Sequence, residues 1–67
     1  MERSGEQLIA ELEMLATTLG MQAERIGKMA SLATDDSHRL ELWAIAMDLE
    51  DESETARKQA NALWTQL

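Results

Sequence analysis

The chain has 67 residues, 13 of them acidic and 6 basic, so its formal net charge is −7. This length supports one small domain, and the absence of cysteine excludes a disulfide framework, a thiolate zinc site and a cysteine nucleophile. A single histidine, His38, argues against a histidine metal centre or a conventional catalytic triad. The acidic balance argues against direct binding to nucleic acid or to an anionic membrane, because both need clusters of Lys and Arg.

The first residues are polar, and no apolar run typical of a signal peptide follows them. The longest uncharged stretch, residues 14–23, is about half of the roughly twenty residues that a membrane-spanning helix needs. We therefore expect a soluble, cytoplasmic protein.

The first predicted element is a helix from about Gly5 to about Ala33, opened by a capping box of Ser4 and Gln7. Large side chains recur along it at alternating spacings of four and three, which is typical of a helix that packs along one side. We call these positions the large row and expect them to face the second helix: Leu8, Leu12, Leu15, Leu19, Gln22, Ile26, Met29 and Ala33.

A second row in the same helix consists of small residues, and such residues let another helix or a large side chain approach the backbone closely. Each glycine in it costs about 1 kcal/mol relative to alanine in a helix interior. A break at Gly20, which would give three shorter helices, is therefore the structural alternative. We call these positions the small row: Ala16, Gly20, Ala23, Gly27 and Ala30.

Residues 34–37, Thr-Asp-Asp-Ser, interrupt the apolar spacing with side chains that cap the start of a helix. The second predicted helix covers about residues 37–66. Such a short connection predicts an all-α, antiparallel two-helix hairpin. The inward positions of the second helix again alternate between spacings of four and three: Leu42, Ala46, Leu49, Ser53, Ala56, Ala60, Leu63 and Leu67.

Folding about residues 34 and 35 predicts which residues of the two helices lie opposite each other. Trp43 is expected opposite the Ile26–Gly27 region, and Trp64 opposite Gly5. Gln22 and Ser53, the polar interruptions of the two rows, are expected near residues 47 and 16 respectively. These two residues therefore do not meet within one chain, although they could fix the register or the oligomeric state of a bundle.

The hairpin has more apolar surface than two facing rows can bury, and residues 40–49 are apolar on nearly all sides. We expect a homodimer of hairpins that forms a four-helix bundle. The alternative is an obligatory partner chain of a different protein.

Five carboxylates lie within residues 48–54. They could be a solvated face, a surface that docks a basic partner, or a divalent-cation site. His38, in the first turn of the second helix, is interpreted as an ordinary surface residue. No phosphate-binding loop, nucleophile motif or paired metal-ligand histidine occurs, so we expect no enzyme activity and no cofactor or metal.

The sequence therefore predicts a non-enzymatic protein–protein interaction module, an adaptor or inhibitor of a larger protein, that acts as a homodimer. Its partner is expected to have an apolar groove with a basic rim. One alternative is a co-chaperone or structural subunit that is stable only with a different chain, and another is a binder of a small ligand or divalent metal between the helices. The predicted partner-binding residues are Leu40, Trp43, Met47, Asp48, Asp51, Glu52, Glu54 and Trp64.

Overall fold

The computed structural model describes residues 5–66, which form two α-helices, α1 (Gly5–Leu32) and α2 (Asp36–Gln66). The helices pack against each other as an antiparallel hairpin, which confirms the predicted all-α architecture. Helix α1 continues through Gly20 without a break, so the alternative with three shorter helices is wrong. The capping residue Ser4 and the last inward position, Leu67, lie outside the described residues. Dimerisation into a four-helix bundle stays a prediction.

Residues 33–35 connect the helices, and Asp35 is the N-cap of α2. Its carboxylate oxygen Oδ1 accepts a hydrogen bond from the Ser37 N–H at 3.1 Å, and its carbonyl accepts the Arg39 N–H at 2.9 Å. The Arg39 guanidinium donates to the Ala33 carbonyl at 2.9 Å and lies 3.2 Å from the Asp36 carboxylate. The Arg39 side chain thus satisfies a carbonyl at the end of α1 and connects it to the start of α2.

The small row of α1, and not the large row, is buried against α2. Ala16 is 0% exposed, whereas the adjacent Leu15 is 49% exposed. Leu8 and Met29 are also exposed, while Leu12, Leu19 and Ile26 at the margin are half-buried. The expectation that the large row faces α2 is therefore wrong for α1. The buried positions of α1 are Ile9, Ala16, Ala23 and Ala30.

The inward row predicted for α2 lies at the interface. Leu49 and Leu63 are half-buried, and the fully buried positions are Leu42, Ala46, Ser53, Ala56 and Ala60. Alanine and serine on α2 thus meet alanine and glycine on α1. Small side chains on both helices allow an interaxial distance at the short end of the usual range of about 8–10 Å.

Ser53 shows how closely the two backbones approach. Its Oγ donates a hydrogen bond of 2.7 Å to the Ala16 carbonyl of α1, and the side chain is buried. Ser53 therefore lies opposite residue 16, as the folding point predicted. The bond fixes the register within one chain.

The hairpin is long and thin, with extents of 50 × 18 × 14 Å. Its radius of gyration is 15.4 Å, whereas a compact domain of this length would have about 11 Å. The shortest dimension is close to the diameter of one helix, so both broad sides of the hairpin are surface.

Candidate protein-interaction faces

Most of the large apolar side chains lie on the surface of the hairpin. Many of them fall on two opposite flanks, whereas Met14, Met21 and Leu32 lie on the outer side of α1, because successive residues of a helix are rotated by about 100°. Those exposed are Leu8, Met14, Leu15, Met21, Met29, Leu32, Leu40, Trp43, Ile45, Met47 and Trp64.

The first flank, which we call the leucine face, is formed by the leucine, isoleucine and methionine residues of the large row: Leu8, Leu12, Leu15, Leu19, Ile26 and Met29. Two open grooves run between this face and α2. Leu15 and Leu19 line one of them together with Asp51 and Glu52. Leu8 and Leu12 line the other together with Gln59, Ala62 and Leu63. The apolar surface of this flank thus belongs mainly to α1, while α2 borders it with carboxylates and an amide and with the apolar residues Ala62 and Leu63.

The second flank carries an apolar patch on α2, which we call the tryptophan patch: Leu40, Trp43 and Met47. The spacing of these residues places them on neighbouring turns of one side of the helix. Trp43 is 45% exposed and Met47 is 62% exposed. A Cβ placed on Gly27 would lie 3.8 Å from Trp43 Cζ3, so the indole rests against the glycine of α1. The predicted neighbourhood of Trp43 is confirmed.

Trp64 does not join this patch. It lies 21 residues beyond Trp43, about 31 Å along the helix axis. Its indole Nε1 donates to the carboxylate of Glu13 at 3.5 Å, and Glu13 is eight residues along α1 from the predicted neighbour Gly5. Helical side chains lean toward the N-terminus of their own helix. In this antiparallel hairpin the N-terminus of α2 lies beside the C-terminus of α1, so the Trp64 side chain leans toward residues of α1 with higher numbers than Gly5.

The fold distributes the predicted acidic residues around α2 instead of collecting them. Asp51 and Glu52 border the groove at the leucine face, and Asp48 lies on the same flank of α2 as Glu52. Glu54 follows Met47 by seven residues, on the side of the tryptophan patch, and pairs with Lys58 at 3.5 Å. Glu50 follows Trp43 by the same interval and was not among the predicted site residues. The separation of seven residues from Trp43 is the feature of the sequence that could have identified Glu50.

No group of three or more His, Asp or Glu side chains within residues 5–66 is arranged to hold a metal ion. His38 is exposed in the first turn of α2. Over the same described range, neither helix combines the length and apolar character needed to cross a bilayer.

The chain matches no family model, no curated protein and no solved structure. The leucine face and the tryptophan patch therefore have to be interpreted from their own chemistry.

Proposed function

We propose that this chain is a non-enzymatic interaction module that acts as a homodimer and binds a larger protein, as an adaptor or inhibitor, through the tryptophan patch. The observation that supports this most directly is the arrangement of Leu40, Trp43 and Met47 on one exposed side of a long helix. Residues at such spacings are the anchors by which an amphipathic helix occupies an apolar groove of its partner.

Trp43 is the principal anchor of the proposed site. Tryptophan is enriched among the interface residues that contribute most to affinity. Its contact with Gly27 holds the indole against α1 while about half of the side chain stays accessible. A side chain already held in place loses less conformational freedom on binding, so its contact surface contributes more to affinity.

Glu50 and Glu54 supply the acidic rim of the patch. Each lies seven residues beyond an anchor, Trp43 or Met47, and so extends the same side of α2. With a net charge of −7, the whole molecule also attracts a basic partner over long range. The partner that fits this surface has an apolar groove with basic residues at the end that meets Glu50 and Glu54.

Trp43→Ala tests this proposal. The immobilised protein is used to capture partners from an extract of its source organism, and the captured proteins are quantified by mass spectrometry. Loss of a central tryptophan costs at least about 2 kcal/mol of binding energy, a roughly 30-fold loss of affinity. Met21→Ala is the matched control, because Met21 is equally apolar, 62% exposed and on the outer side of α1. Equal capture by the wild type and by Trp43→Ala would contradict the proposal.

A pair of charge variants tests the acidic rim with the captured partner. Glu50→Gln with Glu54→Gln is expected to slow association, because rim charges act mainly on the association rate. Asp48→Asn with Glu52→Gln removes the same total charge from the flank of α2 that borders the leucine face, and its effect is expected to be smaller. Equal slowing by both pairs would show that only the net charge matters.

The second candidate is a structural subunit or co-chaperone that is stable only with a different chain. The observation that favours it is the thinness of the hairpin, whose buried residues are mostly alanine. Burial of an alanine methyl contributes only about 0.8 kcal/mol. Circular dichroism of the isolated chain distinguishes the two, since this candidate requires the chain to be disordered when alone.

A further inference from the structure

We infer that the leucine face is covered by a second copy of this chain, with α1 packed antiparallel against α1 of the copy about a two-fold axis near Leu19. The inference builds on the homodimer of the proposed function and specifies its face, its register and its charge contacts. Four observations support it: surface area, spacing, the charges on the outer edge of the face and the position of the tryptophan patch.

The exposed area exceeds what a folded monomer of this size retains. A folded monomer of 7.5 kDa exposes about 4,200 Å², whereas the hairpin exposes 5320 Å². The excess is about 1,000 Å², and a stable interface of standard size buries about 800 Å² on each partner. One ordinary interface per chain thus accounts for the excess.

The spacing of the large row suits a helix of the same sequence. Alternating steps of four and three keep one side of a helix in continuous contact with a neighbour, as in coiled coils. With the axis near Leu19, this leucine meets its own copy, Leu12 meets Ile26, and Leu8 meets Met29. Gln22 then meets Leu15, and this single polar position favours one register at some cost in stability.

The charges on the outer edge of the face favour the antiparallel direction, whereas on the α2 side the same axis brings Asp48 and Glu52 of the two copies toward each other. Glu11 and Arg25 lie on the side of the large row that points away from α2. In the register centred near Leu19, Glu11 of one copy lies within about one turn of Arg25 of the other, and the symmetry forms this pair twice. In a parallel dimer the outer edges of the two leucine faces would lie on opposite sides of the interface. Glu11 of one copy would then be too far from Arg25 of the other to pair with it.

The dimer leaves the second flank free. Trp43 lies about half a turn around α2 from Glu52, which borders the leucine face. Each copy therefore keeps its tryptophan patch accessible, so the dimer presents two copies of the proposed target site.

The first experiment measures molar mass by sedimentation equilibrium over a hundredfold range of concentration. The wild type is expected to be a dimer, and Leu15→Gln is expected to raise the dimer dissociation constant at least tenfold, because both copies lose a buried leucine. Met14→Gln is the matched control: Met14 is the neighbouring residue, 71% exposed and outside the large row. Circular dichroism of each variant checks that the helices persist. A monomeric wild type, or equal weakening by both variants, would overturn the inference.

The second experiment exchanges the charges. Glu11→Arg alone and Arg25→Glu alone each place like charges together twice in the dimer, and each is expected to raise the dissociation constant severalfold. The double variant Glu11→Arg with Arg25→Glu restores opposite charges and is expected to return the constant to within about twofold of the wild type. Failure of the double variant to recover would overturn the register.

These outcomes are separable from the test of target binding. A monomer that captures its partner through Trp43 would contradict only the dimer. A dimer that requires Leu15 but captures nothing through Trp43 would contradict only the proposed target site.

Discussion

Two rows of α1 have the same heptad period and differ by a rotation of one residue, yet the fold uses them in opposite ways. Leu15 is 49% exposed and its neighbour Ala16 is fully buried. The large row carries more apolar area, so burial of apolar surface alone would turn it toward α2. The small row allows closer contact between backbones, and the hydrogen bond from Ser53 to the Ala16 carbonyl requires that contact.

The two rows of α1 thus have different structural roles. The small row closes the hairpin by close packing, and each of its alanines contributes little apolar burial. The large row keeps its leucines on the surface, where a second chain can bury them. A hairpin that used its large row internally would be more stable alone and would have less apolar surface to offer a partner.

The largest change in this comparison is expected from Ala16→Leu, which puts a large residue into the small row. Ala16 is 0% exposed, so three added carbon atoms must push α2 away and break the bond from Ser53. Overpacking of this kind costs about 1–3 kcal/mol. Thermal unfolding followed by circular dichroism at a fixed protein concentration should show a lower midpoint. An unchanged midpoint would mean that the small row is not closely packed.

The glycines of the small row are expected to be dispensable for the hairpin. A Cβ on Gly20 would lie 3.7 Å from Ser53 Oγ, and a Cβ on Gly27 would lie 3.8 Å from Trp43 Cζ3, both ordinary van der Waals distances. Gly20→Ala and Gly27→Ala should each stabilise the protein by about 1 kcal/mol through helix propensity. Denaturant unfolding of the single and double variants measures this gain. A loss of stability would mean that Ser53 and Trp43 do not accommodate the added methyl groups.

The smallest effect is expected from Ser53→Ala. The variant loses one interhelical hydrogen bond, worth about 0.5–1.5 kcal/mol, and alanine's better helix propensity offsets part of that loss. The Ala16 carbonyl keeps its partner within α1, so no buried group is left unsatisfied. A net loss below about 1 kcal/mol is expected in denaturant unfolding. A loss of several kcal/mol would show that Ser53 has a larger role than fixing the register.

Some features of the candidate sites followed from counting residues away from the turn. The capping residues at 34–37 identified the folding point, and that point correctly placed Ser53 opposite residue 16 and Trp43 beside Gly27. The position of Trp64 did not follow. A long side chain reaches about a turn or more beyond its own Cα, and residue counting locates only the backbone.

The sequence by itself determined that the chain forms two helices, where they turn, and which row of α2 faces inward, because capping residues and apolar spacing are local signals. It did not determine which row of α1 meets α2. Both rows have the same period, and apolar content favours the one that stays exposed. Only the tertiary structure decided this, because the fit between two helix surfaces depends on how closely their backbones can approach, and alanine, glycine and serine allow the closest contact.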